Sequence, residues 1–264
     1  MHHATRRGAG VLPCIVYLHG GAMVFASTWN RIHQQWCTDL AAAGAVVVQV
    51  DFRNAWTPDG LQPFPAGLDD CMTAVSWVHD HRDELGIASV VVQGESGGGN
   101  LALATALRAR RDGLLDAIDG VHVHAPLIAR PHADDPSRIG RELPSRLEND
   151  GYLVSGGRDT ELLAEAYDPE SRHATDLLAW PLKATVDDLV GLPPHVVVVD
   201  ELDALRDEGI AYQRRLTAAG VPTIGIVNLG MVHCGAFTFR QALAPYYRAE
   251  VEHVVSFARS LAAS

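Results

Sequence analysis

The chain has 264 residues, of which 47% are hydrophobic, enough to bury a sheet on both faces within one large domain. Its 32 acidic residues outnumber the 21 basic ones, and the net charge of −11 argues against a nucleic-acid or anionic-membrane surface. The first ten residues lack the apolar stretch of a signal peptide, and no apolar run reaches the roughly 18 residues that span a bilayer. We therefore expect a cytoplasmic protein whose four scattered cysteines are reduced: Cys14, Cys37, Cys71 and Cys234.

Short apolar runs alternate with stretches of helical periodicity along the chain. Strands are predicted at 14–18, 46–50, 90–92, 121–125, 196–199 and 221–227. Helices are predicted at 31–43, after Pro65, from the glycines after Ser96 through Leu107, and at 160–167, 206–219 and 239–261. Asn30 and Gly44 are expected to cap the first helix. This alternation predicts an α/β fold with right-handed crossovers and a mainly parallel sheet of about six strands flanked by helices.

The segment from about Pro131 to Pro181 departs from this alternation because it is polar and irregular. We expect one domain over residues 1–264, with a cap-like insertion at about 131–181. Such an insertion would lie over the carboxyl ends of the strands, where sheets of this kind bind ligands.

The string Gly94-Glu95-Ser96-Gly97-Gly98 fits G-x-S-x-G, a sharp strand-to-helix turn that exposes a serine hydroxyl above a parallel sheet. A phosphate-binding loop would need a following lysine, and a dinucleotide fingerprint would need glycines where Glu95 and Ser96 stand. Ser96 is therefore the candidate nucleophile. The N–H of Gly97 opens the next helix, where an anion is favoured, and is a candidate oxyanion donor.

A second glycine-rich string, His19-Gly20-Gly21-Ala22, follows the first predicted strand. Loops of this kind supply backbone N–H groups to an oxyanion, and Gly21 and Ala22 are the candidate donors. Gly20 would let the backbone pass close to a substrate. We interpret His19 as a support for this loop rather than as a catalytic group.

The candidate base is selected by chain order, which in this kind of site runs nucleophile, acid, histidine. His233 lies in the loop between the last predicted strand and the terminal helix, whereas His253 lies inside that helix. Cys234, beside His233, occupies a place where glycine is commoner; its thiol is either an oxidisable group or a small packed side chain.

Several acids crowd the end of the preceding strand. Asp200 is the last strand residue, and Asp207 and Glu208 fall in the first turn of the next helix, where acids favour the helix dipole. Asp203 lies in the loop between them, so it is the candidate acid.

The strings HGGAM, VVQGESGGGNLA, AWP, GLPP and ELDALRDEGIAYQRRLTAAGV resemble the hormone-sensitive-lipase family of bacterial esterases, from about Pro13 to about Phe257. The resemblance implies an α/β-hydrolase fold and hydrolysis of short-chain carboxylic esters, with lactones as a further substrate class. It makes Ser96 the nucleophile, Asp203 the acid and His233 the base. It makes the backbone N–H groups of Gly21, Ala22 and Gly97 the donors of hydrogen bonds to the oxyanion. It implies no cofactor and no metal, a small-molecule ester as the binding partner, no nucleic acid and no membrane, and it allows for a homodimer.

Two departures from the family pattern bear on these expectations. Ala22 stands where the family's loop usually has a third glycine, which costs roughly 1 kcal/mol or more if that position needs a positive φ. The segment before the HGG string is also shorter than in the family, so we expect the N-terminal strands and cap to be missing or much reduced.

Three alternatives stay open on the sequence alone. The chain could be a non-catalytic ligand-binding protein of the hydrolase fold, an inactive fragment, or an amidase, since the triad does not separate esters from amides. An assay with a chromogenic acetate ester discriminates the first two from an esterase.

Overall fold

The computed structural model describes residues 3–4, 11–130 and 140–262, and it builds them around one large sheet. The strands are β1 (His3–Ala4), β2 (Leu12–Leu18), β3 (Val46–Val50), β4 (Trp56–Thr57), β5 (Gly60–Leu61), β6 (Ile87–Glu95), β7 (Gly120–His124), β8 (His195–Asp200) and β9 (Thr223–Asn228). The large sheet has the order β1-β3-β2-β6-β7-β8-β9, and β4 and β5 form a separate antiparallel pair. Six strands of the large sheet are parallel, which confirms the predicted architecture.

The remaining strand, β1, was not predicted. It pairs antiparallel with β3, with His3 opposite Val48 and Ala4 opposite Val47. One two-residue strand at the edge of the sheet agrees with the expectation that the N-terminal strands are missing or much reduced.

The α-helices and their bounds follow in chain order. They are α1 (Arg31–Ala42), α2 (Ala66–Asp80), α3 (Arg82–Leu85), α4 (Gly97–Asp112), α5 (Ser145–Glu148), α6 (Arg158–Tyr167), α7 (Val186–Leu189), α8 (Arg206–Ala218), α9 (Gly235–Thr238) and α10 (Ala244–Leu261). Asn30 does precede α1, but its side chain makes no capping hydrogen bond. The predicted start of the terminal helix at Phe239 was wrong: α10 begins at Ala244, with Pro245 in its first turn, where the ring is tolerated and a preceding helical turn is disfavoured.

Both faces of the central strands β2, β6, β7 and β8 are buried, as is typical of a parallel sheet, whereas the edge strand β9 is partly exposed. Along β2, Cys14, Val16 and Leu18 contribute to one apolar cluster, which also contains residues of α2 and α4. Ile15 and Tyr17 contribute to the other, which contains residues of α1 and α10. Successive side chains of the strand therefore point into opposite faces of the sheet.

The loops that carry the candidate site residues all follow strands at the carboxyl edge of the sheet. The parallel register pairs Leu18 with Gly94, Glu95 with His124, and Asp200 with Asn228. The carboxyl ends of β2, β6, β8 and β9 therefore lie along one edge, and the four candidate loops follow them directly.

The described part of the expected insertion contains α5 and α6; residues 131–139 of that interval lie outside the described residues. Its return path is tied to the body of the protein, since the N–H of Phe64 donates to the carbonyl of Tyr167 (2.8 Å). Across the ranges that the structure describes, no helix combines the length and the apolarity needed to cross a bilayer.

Candidate active site

Ser96 lies in the turn between β6 and α4, with φ 54° and ψ −119°, a backbone conformation that costs free energy for any residue but glycine. Its N–H donates to the carbonyl of His124 (2.9 Å). The flanking glycines are required by close backbone packing: a Cβ on Gly94 would overlap the carbonyl of Gly98, and a Cβ on Gly98 would overlap that of Leu18. The turn leaves the serine side chain partly exposed.

The HGGA loop packs against the same turn. A Cβ on Gly97 would lie 2.6 Å from the backbone nitrogen of Ala22 and 2.5 Å from that of Met23, so the two backbones are in contact. Gly21 makes the bend of this loop, with φ +110°, and its carbonyl accepts from the N–H of Val24 (2.9 Å). Sequence reasoning did not name Met23, because every non-proline residue carries an N–H and only the folded loop shows which ones approach Gly97.

Ala22 adopts φ 54° and Met23 φ 62°. The alanine that replaces the third glycine of the HGG string therefore does sit in the left-handed region. Such a conformation costs a residue with a Cβ about 1–2 kcal/mol, so this loop keeps its shape against a local preference for another one.

His19 and Gly20 are the first residues of the loop after β2. The Nδ1–H of His19 donates to the carbonyl of Gly20 (2.7 Å), and its ring stacks on Phe52 with centroids 4.2 Å apart. Burial lowers the pKa of His19, which favours the neutral ring. A Cβ on Gly20 would lie only 3.5 Å from the Cβ of Ser96, so this glycine marks a close approach between loop and nucleophile turn.

Glu95, directly before Ser96, was missed by the sequence analysis. Its side chain is buried, and Oε1 accepts from the N–H of Gly20 (2.6 Å) and from the hydroxyl of Tyr17 (2.8 Å). His33 Nδ1 lies 3.3 Å from the same oxygen and 2.7 Å from the Tyr17 hydroxyl. Burial and the charge of Glu95 raise the pKa of Tyr17, so its hydroxyl keeps the proton that it donates. Glu95 thus ties the HGGA loop to the nucleophile turn.

His233 and Asp203 are hydrogen-bonded, with 2.8 Å between Nδ1 and Oδ2. The other oxygen of Asp203 accepts the N–H of Leu205 (3.0 Å), and Asp203 is fully buried. Burial alone would lower the pKa of His233, but the charge and hydrogen bond of Asp203 outweigh it and raise that pKa. The pair is arranged so that the imidazole can gain a proton beside a fixed anion.

The loop that carries His233 reaches back toward the end of β6. The ring of Phe237, in α9, lies 5.6 Å from that of His33, which in turn contacts Glu95. The charge of Glu95 also contributes to raising the pKa of Cys234, after the larger effect of burial. The His233 loop and the residue preceding Ser96 are therefore neighbours.

Side chains from the insertion hold the Asp203 loop, and sequence reasoning missed them too. Asn149 Nδ2 donates to the carbonyls of Glu201 (3.0 Å) and Asp203 (3.1 Å). Ser145 Oγ donates to the carbonyl of Ala204 (2.9 Å). No pattern joins residues more than fifty positions apart, so only the fold could reveal this support.

The acids set aside on the sequence have other partners. Asp207 Oδ2 accepts the N–H of Ser145 (2.7 Å). Glu208 is fully buried; it accepts the N–H of Ile128 (2.8 Å) and pairs with the guanidinium of Arg146. Asp200 bonds to His124 (2.9 Å) rather than to His233.

Cys234 has φ 47°, the left-handed region that favours glycine, and it is buried. Burial raises the pKa of its thiol well above the usual range. Of the two readings left open for this residue, the geometry fits the packed side chain. Within the described ranges, no group of three or more histidine, cysteine, aspartate or glutamate side chains is arranged to hold a metal ion.

Comparison with known proteins places these features in context. A family model described as the alpha/beta hydrolase fold matches residues 15–237. An arylesterase of Saccharolobus solfataricus is 31% identical over 226 residues, covering 83% of this chain and 67% of the relative. Esterase LipI of Mycobacterium tuberculosis is 33% identical over 215 residues, covering 80% of this chain and 61% of the relative. The chain thus spans about two thirds of the length of these curated relatives.

Among solved structures, a brefeldin A esterase, described as a bacterial homologue of human hormone sensitive lipase, superposes with a TM-score of 0.96. It is 55% identical to this chain, and the match covers 99% of this chain and 72% of that one. The backbone described above is therefore shared with this esterase over nearly all of its course.

Proposed function

The chain belongs to the alpha/beta hydrolase-fold family, and on that premise we propose that it is a serine carboxylesterase that cleaves carboxylic esters through an acyl-serine intermediate. In this proposal Ser96 is the nucleophile, His233 the general base and Asp203 the acid that orients it. The oxyanion is bound by backbone N–H groups of the HGGA loop and of Gly97. The names of the relatives support the ester as the substrate class.

The hydrogen bond between His233 Nδ1 and Asp203 Oδ2 carries the proposal. It fixes the proton on Nδ1, which leaves Nε2 as the proton acceptor that a serine nucleophile needs. His233 follows β9 and Asp203 follows β8, which lie three and two strands from β6, the strand that delivers Ser96. The loop that carries His233 returns toward the end of β6, since the ring of Phe237 lies 5.6 Å from that of His33, which contacts Glu95 directly before Ser96.

The proposed reaction begins when His233 takes the Ser96 hydroxyl proton as the serine oxygen attacks the ester carbonyl carbon. The carbonyl π electrons move onto oxygen, giving a tetrahedral oxyanion. The alcohol then leaves as its C–O bond breaks, taking the proton from His233. Water enters, gives its proton to His233 and releases the acid by the same steps in reverse, which regenerates Ser96.

Negative charge on the oxyanion would be stabilised by donors that are already in place. Gly97 opens α4, whose first N–H groups have no partner within the helix and whose dipole favours an anion. Ala22 and Gly21 are the loop donors expected from the sequence, and Met23 joins them because its backbone nitrogen lies at the same contact. Each such donor is worth about 3 kcal/mol in a transition state.

Family membership does not say which esters are cleaved, so the substrate range is a separate proposal. We propose esters of short acyl chains as the main substrates and lactones as a second class, with brefeldin A as the lactone to test because a 55% identical relative is named for it. Phe25, which follows the HGGA loop, is half exposed, and in this proposal its ring is the apolar surface that a short acyl chain contacts. A long chain needs a covered tunnel for its further carbons.

The test combines covalent labelling with turnover. Wild-type protein should hydrolyse p-nitrophenyl butyrate and should be labelled at Ser96 by a fluorophosphonate. Ser96→Ala should lose the label and at least about 10⁴-fold in kcat. Ser76→Ala makes the same chemical change on the partly exposed face of α2 and should keep both.

Three outcomes would refute the proposal. Labelling at another residue, or full activity of Ser96→Ala, would remove Ser96 from the mechanism. Binding of an ester without turnover would leave a ligand-binding protein of the same fold. Faster cleavage of the matching anilide than of the ester would make the chain an amidase.

A further inference from the structure

A second carboxylate–imidazole pair lies beside the one formed by Asp203 and His233. Asp200, the last residue of β8, is fully buried, and its Oδ2 lies 2.9 Å from Nε2 of His124, the last residue of β7. The family pattern of nucleophile, acid and histidine leaves both residues unused.

Asp200 accepts hydrogen bonds from three separate elements. His124 supplies one, the Nδ2 of Asn228 at the end of β9 donates to Oδ1 (2.9 Å), and the backbone N–H of Cys234 donates to Oδ2 (2.7 Å). A carboxylate is the side chain that can accept from several donors at once on both oxygens. Cys234 directly follows His233. Its hydrogen bond to Asp200 therefore holds the peptide group that joins the two residues, and with it the backbone of His233.

We propose that Asp200 is a positioning residue for His233, acting through the N–H of Cys234 and held in place by His124. The inference rests on the proposed function, since it assigns His233 the role of general base. The need for such a support is local: Cys234 has φ 47°, so this turn would relax toward another conformation unless it were bonded in place.

Asp200 and His124 also carry charges close to His233. Burial opposes the cationic form of His124, but Asp200 and Glu250 outweigh it and raise the pKa of His124 to about 10. Burial would raise the pKa of Asp200, yet the charge and hydrogen bond of His124 hold it below its usual range. At neutral pH the pair is therefore an anion and a cation next to the catalytic imidazole.

The charged and titratable groups around His233 come from four places. Asp203 precedes α8, Asp200 ends β8, His124 ends β7, and Glu250 projects from α10 with its Oε2 3.7 Å from His124. Asp203 and Asp200 raise the pKa of His233, and His124 lowers it. The thiol of Cys234 stays neutral because burial raises its pKa.

The first experiment replaces the carboxylate by an amide. Asp200→Asn keeps the shape but has no charge and only one acceptor oxygen for the donors on His124, Asn228 and Cys234, so the hold on the His233 loop is weakened. A misplacement of the order of 1 Å costs about 10²-fold in rate, and we expect kcat for p-nitrophenyl butyrate to fall about 10- to 100-fold while KM changes little. Glu201→Gln is the matched control: Glu201 is partly exposed and accepts the N–H of Gly230 (2.6 Å) in the same loop, and kcat should be retained.

The second experiment separates the electrostatic role from a structural one. His124→Gln can still donate to Asp200 but removes the cation that lowers the pKa of His233. That pKa should rise, and the acid limb of the kcat/KM profile should move to higher pH than in the wild type. A purely structural contact would change the amount of folded protein without moving this limb, and this variant also serves if Asp200→Asn does not fold.

A proton NMR measurement tests the role of Asp200 without relying on ester hydrolysis, so the inference can fail while the proposed function stands, or the reverse. The Nδ1 proton of His233, bonded to Asp203, should shift in Asp200→Asn and stay in place in Glu201→Gln, whether or not the protein hydrolyses an ester. Equal kcat in Asp200→Asn and wild type, or an unmoved resonance and an unmoved acid limb, would overturn the role of Asp200.

Discussion

Asp203→Asn tests the acid that was chosen on the sequence from several neighbours. Asp203 uses both oxygens, one for Nδ1 of His233 (2.8 Å) and one for the N–H of Leu205 (3.0 Å). An asparagine that keeps the bond to Leu205 turns its NH₂ toward Nδ1 and makes that nitrogen an acceptor. The proton of His233 then sits on Nε2, where it cannot take the serine proton.

The expected loss is about 10⁴-fold in kcat, equivalent to about 5.5 kcal/mol of activation free energy. The remaining activity should also respond to pH differently. Asp203 raises the pKa of His233, so its removal lowers that pKa, and the acid limb of kcat/KM should lie at lower pH than in the wild type. Steady-state kinetics on p-nitrophenyl butyrate across the pH range measures both effects.

Asp207→Asn is the matched control, four residues along the same loop and helix. Asp207 accepts the N–H of Ser145 (2.7 Å), which an amide oxygen can also do, and it pairs with its chain neighbour Arg206 at 3.0 Å, both side chains being partly buried. We expect a change of about 1 kcal/mol or less in the free energy of unfolding and a change of less than about tenfold in kcat. An active Asp203→Asn or an inactive Asp207→Asn would refute the reasoning.

Two further predictions concern stability and substrate range. Arg146→Met leaves the fully buried Glu208 without its partner and should lower the free energy of unfolding by about 3–5 kcal/mol. Arg146→Met with Glu208→Gln removes the unpaired charge and keeps an oxygen for the N–H of Ile128, so it should recover part of that loss, as urea titration will show. Burial raises the pKa of Glu208 in spite of Arg146, which is the mark of a costly ion pair; equal losses in the single and double variants would contradict this account. Butyrate esters should be cleaved with higher kcat/KM than laurate esters, and the opposite order would mean that the protein builds a covered acyl tunnel.

The fold could be predicted because its determinants are local. Runs such as Val46–Val50 and the periodic apolar face of α2 mark buried strands and helices without reference to the rest of the chain. The start of the terminal helix was wrong for a local reason as well, since the stretch from Phe239 has apolar residues at helical spacing but Pro245 sets the helix start. The strand β1 has only two residues, too few for any periodicity to register.

The candidate site was predicted only as far as motifs and chain order reach. Ser96 and the pair Asp203–His233 are found because the fold places each of them after a particular strand. Glu95 could not be found this way: it occupies the free position of G-x-S-x-G, and its role depends on Tyr17 and on Gly20 from β2 and the loop after it. Asn149 acts across the tertiary fold, so its contribution to the Asp203 loop has no sequence signal.

Backbone strain links residues predicted from the sequence to the contacts that the sequence did not reveal. Ala22, Ser96 and Cys234 all have a side chain in a backbone conformation that favours glycine, and all three lie around the proposed reaction centre. Each is held by a bond to a neighbouring element: Glu95 accepts from the loop that carries Ala22, the His124 carbonyl accepts from Ser96, and Asp200 accepts from Cys234. Strained positions persist only where surrounding contacts determine them. Buried Glu95 and Asp200, costly for stability on their own, are therefore explained by the geometry that they impose on the loops around Ser96 and His233.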